Sequence, residues 1–439
     1  MAEYTCDVCN DRFDEEEKEL TNDESKCILH CNKKRTYSHV QVKKKFEKKF
    51  EIVFTQANCD FVNMHFPEIS NNLFEKYGRV SFEKCTFYDD VYITKNHDEN
   101  SLLFTKCEFY KKIYLVELNI KDFIFRDCNF SKNTNLVCDN SSFKKNFLFS
   151  EHNIKNKEDR NFPSNLDFKN CTFDVDVVFT NLTKNLTNLC FESCIMNNLI
   201  DIRNIYFERN LILKNCTFND DLYISENWIQ DFYLIKCNVN KIAVLSNNTI
   251  LNKNVLNSIT FKELVTFKDT NFKAILDLKN VRFFSTVIFQ DVVIQKEINL
   301  RDTIFYESSN FLGISSEKNE IHEVEKYIEL PKVIKVSNRE TARKIKDSFE
   351  QQNNIIEANR YYAAEMKERE KELEVTRSKN WFEWLIFKVQ EVSSNHSQDA
   401  LLALFWIINI GFIASLFDCF TNVDYIDDFL TFDIAYFIG

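Results

Sequence analysis

Cys6 and Cys9 form a C-x2-C pair, and "KCILHC" adds Cys27, His30 and Cys31. Structural zinc takes four Cys or His ligands in a tetrahedron, supplied as two close pairs around an excursion. Here the excursion runs from Asn10 to Lys26, and this layout predicts one structural Zn2+. Five candidates compete for four positions. Cys6, Cys9, Cys27 and Cys31 are the first choice, with His30 as a replacement for either later cysteine. No carboxylate or open-site motif accompanies them, so catalysis is not expected of the metal. The competing reading is a set of free thiols. A module of about 35 residues can hardly fold without a staple, which favours zinc.

A second set of cysteines has a different spacing. "FEKCTF" (Phe82 to Phe87) returns as "FTKCEF", "FRDCNF", "FKNCTF" and "LKNCTF". The leading residues Phe82, Phe104, Phe125, Phe147, Phe168, Phe191, Leu213 and Leu234 follow one another at a nearly constant interval. Three positions on stand Cys85, Cys107, Cys128, Ser150, Cys171, Cys194, Cys216 and Cys237. A fixed period of about 22 residues means a stacked repeat. From Phe267 the large residues step by 5 and 6 in alternation, ending at Leu300, Phe305 and Phe311. Neither a helix nor one long strand has that rhythm. Short strand-like faces joined by corners do, and two 5+6 units close one four-faced coil per period. Coils stack at about 4.8 Å, and Cys, a small hydrophobe, fills the space beside each Phe. A metal or redox ladder would need His or carboxylate partners on the inward face. The inserts "EHNIKNKEDRNFPS" and "NTILNKNVLN" are expected to loop out at corners. The "NCT" sequons at Asn170 and Asn215 are by-products of the repeat.

These quoted repeats resemble the pentapeptide-repeat family over roughly Phe54 to Phe311. The resemblance implies a mainly β fold, a right-handed four-sided parallel β-helix with a large residue at each face centre and a small one two residues before it. The sixth residue in alternate faces departs from that pattern. The resemblance further implies a membrane-anchored bacterial type, because "FE…N…EAN..YY..EM..RE" is similar to a helical hairpin that sits between solenoid and membrane in such proteins.

The chain divides accordingly. Residues 1–36 are read as a zinc-knuckle module, 37–51 as a basic linker ("KKRTYSHVQVKKKFEKKFE" spans the junction) and 52–312 as the β-solenoid. The linker could also grip nucleic acid or anionic lipid. The segments flanking the solenoid are candidates to cover its open ends. Residues 313–336 are a charged linker and 337–376 a helical hairpin, capped by Ser337 or Asn338, with Ile345 and Phe349, then Ile356, Tyr361 and Met366, on the packed faces. Residues 377–399, with Trp381, Phe382, Trp384, Leu385 and Phe387, are an interfacial segment. Residues 400–418 hold a transmembrane helix whose charge-free core is Ala400 to Phe417. Residues 419–439 form a short tail that reads as a truncated second hydrophobic segment.

Composition bounds the function. The chain has 43 Phe but 4 Gly and 3 Pro, against an ordinary share of about 7% Gly and 5% Pro. Asn is abundant and tolerates left-handed turns. Net charge is −11, so nucleic acid is not expected as a partner. No apolar leader opens the chain, and the thiols are read as reduced. No catalytic constellation, small-molecule substrate or cofactor beyond Zn2+ is expected. The reading is a non-enzymatic, membrane-anchored scaffold for a protein partner or for homo-oligomers, on the cytoplasmic side of the inner membrane. The alternatives are a regulatory domain on a channel-like tail and, by family resemblance, a DNA mimic that binds topoisomerase.

Overall fold

The computed structural model describes residues 3–21, 25–56, 59–67, 79–94, 100–132, 134–150, 162–180, 185–316, 334–396 and 399–421. Two compact units divide at Lys335.

The first unit contains a β-solenoid in which every strand pairing is parallel and joins one coil to the next, in sheets of up to ten and twelve strands. Each coil has four faces. On the first, Phe61, Phe82, Phe104, Phe125 and Phe149 lie in register. Phe66, Phe87, Phe109 and Phe130 do so on the second. The third runs from Ile93 through Leu115, Cys138, Phe168 and Phe191 to Leu213. The fourth runs from Ile120 through Phe143 and Phe173 to Met196. Rings stack directly, for example Phe87 on Phe109 with centroids 4.8 Å apart.

The alternation of 5 and 6 has a steric cause. The first and third faces bury two large residues, such as Leu102 with Phe104 and Leu189 with Phe191. Many coils bury a small residue and a large one on the second and fourth, such as Cys107 with Phe109 and Cys171 with Phe173. The small position therefore precedes the centre only on alternate faces. The tight five-residue corner is made by one left-handed residue before the small one: Lys84, Lys106, Asn170, Asn215, Asn247 and Asp269 all have φ between 50° and 58°. Asn and Asp predominate there because their short polar side chains tolerate this region. Gly313 closes the series at φ 72°, where a Cβ would fall 2.1 Å from Asp291 Oδ1.

The cysteines occupy these corners as two separate columns. Cys85, Cys107 and Cys128 follow the first face, with Sγ 3.4 Å from the Phe61, Phe82 and Phe104 carbonyls of the coil below. Cys171, Cys194, Cys216 and Cys237 follow the third, against the carbonyls of Cys138, Phe168, Phe191 and Leu213. The single ladder read through Phe147 and Ser150 does not exist. Phe125 pairs with Phe149, and Phe168 pairs with Cys138 on another face. The insert "NTILNKNVLN" does not loop out either. It forms the strand Thr249–Asn257, with a bulge absorbing the surplus. Most of "EHNIKNKEDRNFPS" lies outside the described residues, as do most of the 313–336 linker and the 419–439 tail.

The segment read as a basic linker is a helix, α2 (Val40–Gln56). Val42, Phe46, Phe50 and Phe54 are buried, because their i, i+4 spacing puts them on one helical face. Phe50 meets Phe61 at 5.0 Å and Phe66 at 5.3 Å, so α2 covers the first coil. Three of its lysines tie it to its neighbours, Lys43 to the solenoid and Lys45 and Lys49 to the acidic helix Glu15–Thr21. Lys43 lies 3.8 Å from Asp89, Lys45 2.8 Å from Glu16, and Lys49 3.3 Å from Glu17.

The second unit holds α3 (Arg339–Gln351), α4 (Ile355–Thr376), α5 (Trp381–Ser394) and α6 (Ala400–Thr421). Asn338 caps α3 by accepting Thr341 N at 2.9 Å, and Asn354 caps α4 by accepting Glu357 N at 3.3 Å. Ile345, Phe349 and Tyr361 are buried in the hairpin, with the Phe349 and Tyr361 rings stacked at 5.7 Å, whereas Ile356 is exposed. The buried carboxylate of Glu365 is held by Arg343 at 2.8 Å and Lys346 at 3.3 Å. The 18 residues Ala400–Phe417 have mean hydropathy 2.3 and none is buried, so α6 is long and apolar enough to cross a bilayer.

Candidate metal centre

Four ligand atoms converge at the amino terminus, from Cys6, Cys9, Cys27 and His30, all within 4.8 Å of one another. Cys6 and Cys9 stand on the loop between β1 (Tyr4–Thr5) and β2 (Arg12–Phe13). That loop closes through Asn10 N donating to Cys6 O at 2.8 Å, with Asn10 left-handed at φ 60°. Cys27 and His30 stand on one turn, where His30 N and Cys31 N both donate to Cys27 O at 2.9 Å.

The turn decides which side chain completes the cluster. It returns His30 Nδ1 to 3.2 Å from Cys27 Sγ and 3.7 Å from Cys6 Sγ. Cys31, one residue further, is rotated out of the cluster, and its Sγ meets Ile28 O at 3.7 Å. The first-choice set with Cys31 is therefore replaced by the set with His30. Cys9 and Cys27 Sγ are 3.8 Å apart. A tetrahedral ion with metal–sulfur bonds of about 2.3 Å needs S···S edges of about 3.8 Å. No disulfide joins these residues, which are free thiols.

The surroundings favour the thiolate at Cys6 and a neutral imidazole at His30. Burial drives the Cys6 thiol up, but backbone hydrogen bonds from Cys27, Cys9 and Val8 together bring it below its ordinary range. Burial raises Cys9 and Cys27. Burial, then Lys33 and Lys49, pulls His30 down to about 4, so the imidazole is neutral and able to ligate. The Val62 backbone hydrogen-bonds the His30 ring, an outer contact of the kind that orients a ligating imidazole.

Sequence reasoning missed three residues around the cluster. Glu17, on α1 (Glu15–Thr21), accepts Ile28 N at 2.5 Å and fixes the second ligand turn. Lys49 pairs with it. Lys33 is completely buried, its Nζ 3.2 Å from Cys31 O and 5.1 Å from the Phe46 ring centroid. The only signal for Lys33 was its place just behind the second pair. The ligand turn is also joined to the solenoid, since His65 N donates to Leu29 O at 2.8 Å and Tyr88 Oη to Asn32 Oδ1 at 2.9 Å.

No family model, no curated protein and no solved structure matches this chain.

Proposed function

We propose that the protein is a non-enzymatic, membrane-anchored scaffold whose solenoid presents stacked outer faces to a protein partner. The observation that carries this reading is the pairing of a solenoid, filled throughout by side-chain columns, with one exposed apolar helix of spanning length. Such a core spends its inward residues on stacking and leaves recognition to the outer faces. A place in the pentapeptide-repeat family is proposed on the four-faced coil and its large centres.

Orientation follows from charge. Lys367, Arg369, Lys371, Arg377, Lys379 and Lys388 precede the span, and no Lys or Arg follows it up to Gly439. Basic residues beside a span stay on the cytoplasmic side. The amino-terminal part is thus assigned to the cytoplasm, where thiols remain reduced.

The amino-terminal cluster is proposed to hold structural Zn2+. Charge balance supports a divalent ion. Glu17 and Lys49 offset each other, which leaves Lys33 buried with no carboxylate partner among the described residues; burial disfavours its ammonium form, a cost that an anionic cluster beside it would offset. A dication with three thiolates and one neutral imidazole carries one negative charge, the complement of Lys33.

Crosslinking and pull-down from membranes test the scaffold reading, comparing the intact chain with one lacking residues 1–50. A specific protein retained by the solenoid is the expected result. A partner-free solenoid, or an intact chain recovered soluble and monomeric without detergent, overturns it.

A further inference from the structure

We propose that α5 lies in the plane of the membrane interface with its apolar face against lipid, an inference that rests on α6 being a membrane anchor. At about 100° per residue, Trp381, Phe382, Leu385, Ile386, Val389 and Val392 fall within an arc of about 140° on α5. All six are exposed, between 43% and 63%.

The helix surface outside the arc is already engaged. Glu383 pairs with Arg369 and Lys388 with Glu370, both on α4. The Arg377 guanidinium stands 4.0 Å from the Trp384 ring centroid. These contacts fix the rotation of α5 about its axis and leave the apolar arc uncovered.

Continuity with α6 identifies lipid as the occupant. Asn395 ends α5 in the left-handed region at φ 47°, and its N–H donates to Glu391 O at 2.8 Å. Trp406 Nε1, in the second turn of α6, donates to Val392 O at 2.8 Å. The last residue of the arc is thereby tied to the entrance of the span. Aromatic residues open the arc, with Arg377 and Lys379 just before it, the arrangement that suits an apolar body below anionic headgroups.

The test uses the full chain in phosphatidylcholine–phosphatidylglycerol vesicles with lipids brominated near the headgroup or deep in the acyl chain. Three variants each retain one tryptophan, Trp381, Trp406 or Trp228, with the others changed to Phe. Trp381 fluorescence should be quenched about twofold more by shallow than by deep bromines, the depth of an interfacial helix. Trp228, on the solenoid, should not respond. Quenching of Trp406 with Trp381 silent leaves the anchor standing and overturns the interfacial helix. Silence of both overturns the anchor and this inference with it. Shielding of Trp381 that grows with protein concentration but is indifferent to bromine overturns it in favour of a contact between copies. Because the Trp381-only variant loses the Trp406–Val392 hydrogen bond, and in case a triple variant misfolds, the wild type compared with Trp381→Phe reads the same quantity with that bond intact, as loss of the shallow-quenched fraction.

Discussion

Asn254 should be a weak point of the solenoid, and replacing it with leucine should stabilise the protein. It occupies the inward position two before a third-face centre, a column that runs Leu189, Leu211, Phe232, Asn254. Leu276 continues the same spacing one period on. Asn254 is 5% exposed, and neither its Oδ1 nor its Nδ2 finds a hydrogen-bond partner among the described residues. An unsatisfied buried amide costs about 1–3 kcal/mol. A buried leucine side chain contributes about 1.5–3 kcal/mol, offset by about 1 kcal/mol of crowding, since Leu is larger than Asn. The net expectation for Asn254→Leu is about 2–5 kcal/mol. That corresponds to a rise in melting temperature of about 4–10 °C for a cooperative unit of this size. Thermal melting of the detergent-solubilised full chain, followed by circular dichroism, measures it. Asn254→Ala removes the amide but leaves a cavity, so it should change little. An Asn254→Leu protein that melts at or below the wild type would refute the column reasoning.

Metal analysis of the purified full chain should return about one zinc; His30→Ala should lose it while Cys31→Ala and Cys171→Ala keep it, and the reverse pattern sinks the assigned ligand set. Cys216→Ala should cost about 1–2 kcal/mol and Phe191→Ala about 3–5 kcal/mol, so equal melting losses would show that the cysteine corner is more than packing. Burial, then the charges of Lys33, Lys26 and His30, pulls His65 down to about 4. Its neutral form is the folded one, so its contribution is complete above the unfolded value near pH 6.5 and is lost as pH falls toward about 4. Melting temperature should decline across that window, and less steeply in His65→Asn. Carbonate-washed membranes should retain the full chain, whereas a chain ending at Gln398, which keeps α5 but lacks α6, should be released by the wash; retention of both would place the anchor elsewhere.

The repeat was legible because identical inward positions recur along the chain. Which face each cysteine follows was not. The interval from Phe125 to Phe168 is close to two periods. The chain makes only one and a half turns there, from the first face to the third, and inserted residues make up the difference. A periodicity reading has no means of separating two columns that share one period. His30 and Cys31 were indistinguishable for a related reason. Spacing allows either, and the backbone turn at Cys27 selects the residue three positions on. The helix α2 was visible in Val42, Phe46, Phe50 and Phe54, but the lysines between them drew attention to charge. Lys33 and Glu17 had no motif at all, since their roles arise from burial beside the cluster.

The left-handed corner residue is repeated at the same place in successive coils, at Asn204, Glu226, Asn247 and Asp269 on one edge. Excising the chain between two such corners would rejoin backbone of matching conformation and leave every remaining column in register. Each coil removed or duplicated changes the length of the stack by about 4.8 Å and nothing else about its cross-section. The distance between the ends of the solenoid is thus a copy-number variable. Recombination within the gene can adjust it in fixed increments without redesigning the core, as one would lengthen or shorten a ruler by whole divisions.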